Sequence, residues 1–158
     1  KPYLSNMTEI NCSVLGTVDN NQASVCEQPI AADDILSFSD KYMRDGKNKG
    51  TKSAGMASLD RRIPAPISKD LTERIQSTSQ KVFNAIGASG VARIDYMVTE
   101  KDEVYITEIN TIPGSLAFYL WEASGISFRE LIDRLVDIAQ VEYKSKHSIK
   151  TAFESDLS

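Results

Sequence analysis

Apolar and polar positions alternate early in the chain. Residues 9–15 read EINCSVL and residues 23–28 read ASVCEQ, with TVDNNQ, rich in Asn and Asp, between them. That pattern predicts a β-hairpin. The period then changes: Leu71, Ile75, Val82 and Ile86 fall on one helical stripe, with Ser68 as N-cap and Gly87 as a left-handed terminator. Alternation returns in ARIDYMV and VYITEIN, which flank a charged turn and predict a second hairpin over 92–110. After Pro113 and Gly114, LAFYLWEAS reads as a short buried helix ended by Gly125. Ser127 followed by Glu130 is a capping box for a last helix through about Gln140, with Leu131, Leu135, Ile138 and Ala139 as its stripe. Residues 141–158 read as a polar tail. Mostly antiparallel strands with helices packed on one face make an α+β unit.

Composition agrees with a single globular domain, or with a piece of a longer protein: 158 residues, 41% apolar and 25% charged. The opening KPYLSNMTEI carries no initiator Met, and a fragment is the expectation. A net charge of -4 argues against general nucleic-acid binding, and no apolar run approaches the roughly 20 residues that span a bilayer. Neither nucleic acid nor membrane is therefore an expected partner. Cys12 and Cys26 fall in neighbouring strands and are expected as buried thiols rather than a disulfide. Two Cys and one His offer too few soft ligands for zinc.

One segment departs from the acidic balance. Residues 43–62 carry six basic side chains against Asp45 and Asp60, with three glycines and few large apolar groups. Such a run is either a solvated loop or, at that length, a functional lid.

The second hairpin concentrates chemistry. Arg93 and Asp95 share one strand face, as do Glu108 and Asn110. If Asp95 stands opposite Glu108, the register forces an even-length turn drawn from TEKDEV. Opposed carboxylates destabilise a sheet unless something compensates. Three compensations are open: splaying into water with Arg93 paired to one acid, a carboxylate dyad for proton transfer, or a hard divalent cation. Asn110 favours the cation, because an amide oxygen ligates without adding repulsion. Neither GxGxxG nor GxxxxGK[ST] is present to hold phosphate. Pro113 stiffens the exit and Gly114 exposes a backbone N–H to a ligand.

ARIDYM followed by VYITEINTIPG resembles the metal-binding hairpin of ATP-grasp enzymes, most closely the D-alanine–D-alanine ligase family, whose pattern is Gly-x-x-Arg-x-Asp and then Glu-x-Asn-Thr-x-Pro-Gly. More weakly, KPYLSNMTEINCSVLG is similar to the family's nucleotide-binding hinge and the strand after it, and SDKYM to the Lys-Tyr that opens its lid. The resemblance implies that 1–140 is the C-terminal part of an ATP-grasp domain, with 44–58 as a mobile lid. It implies Asp95, Glu108 and Asn110 as ligands of magnesium, or alternatively manganese. Arg93 and the Gly114 N–H would support the tetrahedral intermediate, and Tyr42 would close the lid. Glu9 would hold the ribose of ATP, backbone near Leu4 the adenine, and Lys41 a phosphate.

The implied activity is an ATP-dependent carboxylate–amine ligase acting through an acyl phosphate, first of all D-alanyl-D-alanine synthesis for peptidoglycan in the cytoplasm. Partners implied are ATP, amino-acid substrates, the N-terminal remainder of the enzyme and a second copy in a homodimer. Two alternatives stand beside it: a dipeptide ligase for other amino acids, and a non-catalytic nucleotide-binding module. Tyr119 occupies the position where the family places a Ser for the acceptor carboxylate, which opens the acceptor's identity. The family's N-terminal domain, glycine-rich loop and first-half lysines are absent from this chain.

Overall fold

The computed structural model describes residues 7–30 and 61–148. Leu4, Lys41, Tyr42 and residues 44–58, the segment expected as a lid, lie outside them. Five strands, β1 (Met7–Gly16), β2 (Asn21–Pro29), β3 (Arg61–Arg62), β4 (Gly90–Thr99) and β5 (Val104–Asn110), form one sheet in the order β3-β2-β1-β4-β5. Every neighbouring pair is antiparallel, as an α+β unit of this kind requires. β1 is central and pairs with β4 along its whole length, from Met7 opposite Thr99 to Gly16 opposite Gly90. Gly16 starts the first turn at φ +142, where a Cβ would sit 2.2 Å from the Asn20 carbonyl oxygen. Only glycine fits there.

Helix α1 (Lys69–Ala85) begins where Ser68 Oγ accepts a hydrogen bond from the Leu71 N–H at 3.2 Å, and Gly87 ends it at φ +64. Its buried face is Leu71, Ile75, Ser79 and Phe83. The stripe thus advances by fours, and Ile86, expected on it, is exposed at the C-cap. This face packs on Ile10, Cys12, Val14, Cys26, Ile94 and Tyr96 in the main core. Burial of each large side chain contributes about 1.5–3 kcal/mol. The Tyr96 hydroxyl, buried within it, shares a 2.7 Å hydrogen bond with Ser79 Oγ, so its polar atom is satisfied. Cys12 and Cys26 are free, buried and directly opposite each other.

The helices are divided between the two sheet faces rather than gathered on one. Even-numbered residues of β1 and β4 face α1, and odd-numbered ones face the other way. Two of the odd positions, Leu15 and Val91, are apolar and need cover. They receive it from Trp121 of α2 (Phe118–Ala123) and Leu131 of α3 (Phe128–Ser148). One half of the capping box forms, with Ser127 Oγ accepting from the Glu130 N–H at 3.2 Å, while the Glu130 carboxylate accepts from Arg134 at 2.6 Å. Helix α3 runs past Gln140 into the expected tail, because no Gly or Pro interrupts 141–148 and Tyr143 stacks on His147 at 3.9 Å.

The second hairpin corrects one expectation. Asp95 does stand opposite Glu108, yet Tyr96 stands opposite Ile106, so Thr107 is an extra residue in β5. The turn is therefore the odd-length 100–102, with Asp102 left-handed at φ +59 and its N–H donating to the Thr99 carbonyl at 3.0 Å. Without this bulge Val104, Ile106 and Glu108 would share a face. With it, Val104 packs on the main core while Glu108 stays on the polar side.

Candidate active site

One row of polar residues crosses the uncovered part of the odd-numbered face. Glu27 on β2, Asn11 on β1, Asp95 on β4 and Glu108 on β5 are each the backbone partner of the next. With strands about 4.8 Å apart, the row spans roughly 14 Å. Arg93 and Asn110 face each other in the adjacent row.

At one end, Asp95 is only 2% exposed. Arg93 grips it with two bonds, Nε to Oδ1 at 2.7 Å and Nη2 to Oδ2 at 2.8 Å. Burial alone would lower the guanidinium pKa, but the bonds and charge of Asp95 outweigh it and hold Arg93 above its usual range. Asn110 Nδ2 adds a third contact to Asp95 Oδ2 at 3.1 Å, and Thr107 Oγ1 donates to the Asp95 carbonyl at 3.0 Å. Glu108 is exposed beside them. The two acids therefore do not both splay into water: Glu108 is solvated, while Asp95 is buried and neutralised from its own strand. Two carboxylates and an amide on adjacent strands remain a hard-oxygen set suited to a divalent cation. Among the described residues no group of three or more His, Cys, Asp or Glu forms a metal site.

At the other end, Glu27 is 1% exposed and accepts from three donors. These are Tyr119 OH at 2.8 Å, Arg61 Nη1 at 3.0 Å and Asn11 Nδ2 at 3.3 Å. Arg61 also lies over the Tyr119 ring, its Cζ 3.9 Å from the centroid. Burial, followed by the charge of Glu27, pushes the Tyr119 phenol up to about 12. Asn11 Nδ2 reaches Glu9 Oε1 at 3.3 Å as well, which ties Glu9 into the same layer.

Tyr119 reaches Glu27 because of the turn before it. Gly114 is exposed and opens the turn Gly114–Ala117, in which Ser115, Leu116 and Ala117 are left-handed at φ 52, 57 and 50. Each such L-residue costs roughly 1–2 kcal/mol. The Leu116 N–H donates to the Pro113 carbonyl at 2.9 Å, and Ala117 is fully buried in a cluster with Tyr119 and Leu120.

A family model described as the D-ala D-ala ligase C-terminus matches residues 3–137. The chain belongs to this family. It is 33% identical over 149 residues to a D-alanine–D-alanine ligase of Thermosipho africanus, covering 94% of this chain and 38% of that protein. Against D-alanine–D-alanine ligase A of Escherichia coli K12 the identity is 33%, with coverages of 90% and 37%. The fold is similar to the D-alanine–D-alanine ligase of Coxiella burnetii, at TM-score 0.72 and 26% identity over 94% of this chain and 36% of that one. It is also similar to the VanG D-Ala:D-Ser ligase of Enterococcus faecalis, at TM-score 0.64 and 25% identity over 84% and 36%.

For a D-ala D-ala ligase C-terminus, the residues singled out by sequence divide clearly. Glu9, Arg93, Asp95, Glu108 and Asn110 share one sheet face, and Gly114 follows four residues after Asn110. Leu4, Lys41 and Tyr42 are not among the described residues. Sequence reasoning missed Asn11, Glu27 and Arg61. The first two occupy odd positions in alternating strands and could have been placed on this face by parity. Arg61 had no comparable signal, because its partners lie 34 and 58 positions away in the chain.

Proposed function

We propose that this chain supplies the C-terminal half of the nucleotide and metal site of an ATP-dependent carboxylate–amine ligase, in the first instance a cytoplasmic D-alanine–D-alanine ligase of peptidoglycan synthesis. The observation that carries the reading is the opposition of Asp95 and Glu108 across one bulged ladder, with Arg93 and Asn110 in the next row. The chain spans 38% of the length of the Thermosipho relative, so the remaining nucleotide-binding groups would come from an N-terminal portion.

Asp95, Glu108 and Asn110 would hold magnesium, or manganese in its place, with Asn110 presenting its amide oxygen. Such a cation would neutralise charge on the transferring phosphoryl group. Arg93, already fixed by Asp95, keeps a permanent positive charge beside that group. The Gly114 N–H would face the oxyanion that develops when an amine attacks the acyl phosphate. In that step the nitrogen lone pair forms the C–N bond, phosphate leaves with the C–O bonding pair, and the amine loses a proton. Glu9 would receive the ribose hydroxyls. Leu4, Lys41 and Tyr42 are assigned to adenine, phosphate and lid closure by family resemblance alone, and a homodimer of the whole enzyme on the same basis.

Phosphate release by the full-length protein with Mg-ATP and D-alanine tests the reading. Release that depends on both supports it. Binding of Mg-ATP without release, across a panel of amino acids, would instead make the protein a non-catalytic nucleotide-binding module. One observation favours a second acceptor: the Tyr119 hydroxyl is committed to Glu27 and is not available as a small free hydroxyl would be. Product analysis with D-alanine and a panel of amines separates that dipeptide ligase from the first reading.

A further inference from the structure

Cys12 on β1 and Cys26 on β2 are direct partners across the β1–β2 ladder, and both are free and buried. Backbone groups fix which of the two antiparallel spacings they occupy. The Cys26 carbonyl accepts from the Ala65 N–H at 2.7 Å, so it points away from β1. The N–H that β1 turns toward β2 belongs to the next residue, Ser13, which donates to Ser24 Oγ at 2.9 Å. Cys12 and Cys26 therefore form a non-hydrogen-bonded pair, the closer kind, with Cα atoms about 4.5 Å apart. That separation lies within the roughly 4.4–6.8 Å that a disulfide spans.

The side chains point the same way, into the main core on the α1 side of the sheet. A hydrogen bond from the Cys26 thiol pulls the Cys12 thiol below its usual range, so the two sulfurs are already in contact. One buried thiol is an ordinary small apolar side chain. Two that touch lack only an oxidant to become a cystine. Their neighbours give such a bond something to act on. Asn11 and Glu27 form the adjoining ladder pair, with side chains on the opposite face, in the polar row. A link between residues 12 and 26 pins that pair while staying out of the row itself.

We propose that Cys12 and Cys26 are a latent cross-strand cystine, which a hydroperoxide closes into a staple of β1 to β2 and a low-molecular-weight thiol reopens. In the first step the Cys12 sulfur takes the terminal peroxide oxygen, the O–O bond breaks, and the leaving group departs with the thiol proton. The Cys26 sulfur then attacks the Cys12 sulfenic acid, the S–O bond breaks, and water leaves with the second thiol proton. The two sulfurs lose two electrons and the peroxide gains them. Hydrogen peroxide, close to water in size, reaches the pair through local openings of the fold that exclude a bulky aromatic reagent. None of this depends on the ligase reading.

Peptide mapping of the full-length protein tests the proposal without any variant. The protein is held with excess hydrogen peroxide under native conditions, then alkylated in denaturant and cleaved before aspartate. Asp19 is the only aspartate between the two cysteines, so free thiols give separate alkylated peptides. The bonded form gives one joined species, two hydrogens lighter than the unalkylated peptides together, which dithiothreitol splits. That species is expected, with a melting temperature several degrees above that of the reduced protein, a shift that dithiothreitol reverses. Cys12→Ser and Cys26→Ser should each lose the joined species and the shift. Should either variant fail to fold, the wild-type map and melt decide alone. Two intact thiols after peroxide overturn the proposal, as does sulfinic acid at either cysteine or a bond from either to a different cysteine. A joined species that melts no higher than the reduced protein overturns the staple.

Discussion

Arg93 and Asp95, two residues apart on one strand, form a doubly hydrogen-bonded ion pair at 2.7 and 2.8 Å with both side chains nearly buried. The pair gives Asp95 a structural role beside the proposed metal-binding one, whereas Glu108 opposite it is exposed. Asp95→Asn and Glu108→Gln in the full-length protein should each reduce Mg-ATP turnover on the order of 100-fold or more. Only Asp95→Asn should also lower stability, by about 3 kcal/mol, because it leaves a buried guanidinium without its counter-charge. Steady-state kinetics and thermal melting of both variants check this, and equal melting temperatures would reject the structural role.

Tyr119 should ionise late. Its folded pKa of about 12 lies above the value of 10 for a free phenol, so the native state holds the proton more tightly than the unfolded one. The stabilisation is complete below pH 10 and is lost as pH rises toward 12. A phenolate difference titration at 295 nm between wild type and Tyr119→Phe should place the missing transition near the upper value. A transition near 10 would mean that the ring is not buried beside Glu27 in solution.

Both thiols should be silent in the native protein. Cys12 is pulled below its usual range by a hydrogen bond from Cys26, with further bonds from Ser79 and Ser24, while that bond to Cys12 and burial push Cys26 up. Both are nonetheless fully enclosed under α1, and reactivity needs access as well as thiolate. Ellman's reagent should label neither until denaturant is added. Rapid native labelling of one equivalent would contradict the packing of α1 on β1 and β2.

Relief of backbone strain should be measurable at Ser115, which is exposed and left-handed at φ 52. Glycine there removes roughly 1–2 kcal/mol of steric cost but adds chain entropy to the unfolded state. Ser115→Gly should therefore raise the melting temperature by a few degrees at most, about 1 kcal/mol. A loss of stability would show that the serine side chain has a role beyond holding the turn.

Much of this architecture could be read from local pattern. Ser68, Gly87, Ser127 and Gly125 act through neighbours within a few residues, and caps of that kind declare themselves in sequence. The shared face of Arg93 with Asp95, and of Glu108 with Asn110, also followed from alternation, whereas the opposition of Asp95 and Glu108 was only a condition, which the bulge fulfils. Other features depend on distant partners. Glu27 looks like any solvated acid until Arg61 and Tyr119, 34 and 92 residues away, close over it. The bulge left a trace: Val104, Ile106 and Ile109 break parity between 106 and 109, and that break is Thr107. The division of helices between faces was likewise written in Leu15 and Val91, apolar residues at odd positions that need cover on the face away from α1. The left-handed run through Ala117 had no signal, since three ordinary L-residues adopt it under tertiary constraint.

Thr107 has a wider effect. Because the surplus residue shifts parity between the turn and the base of the hairpin, Val104 keeps the core face and the acids keep theirs, each held by its own ladder pairs. Segments of different length could be spliced in between Thr99 and Val104 without rotating Glu108 or Asn110 out of alignment. The loop is thus a tolerant graft point, and a lineage could vary it freely while the chemistry stays in place.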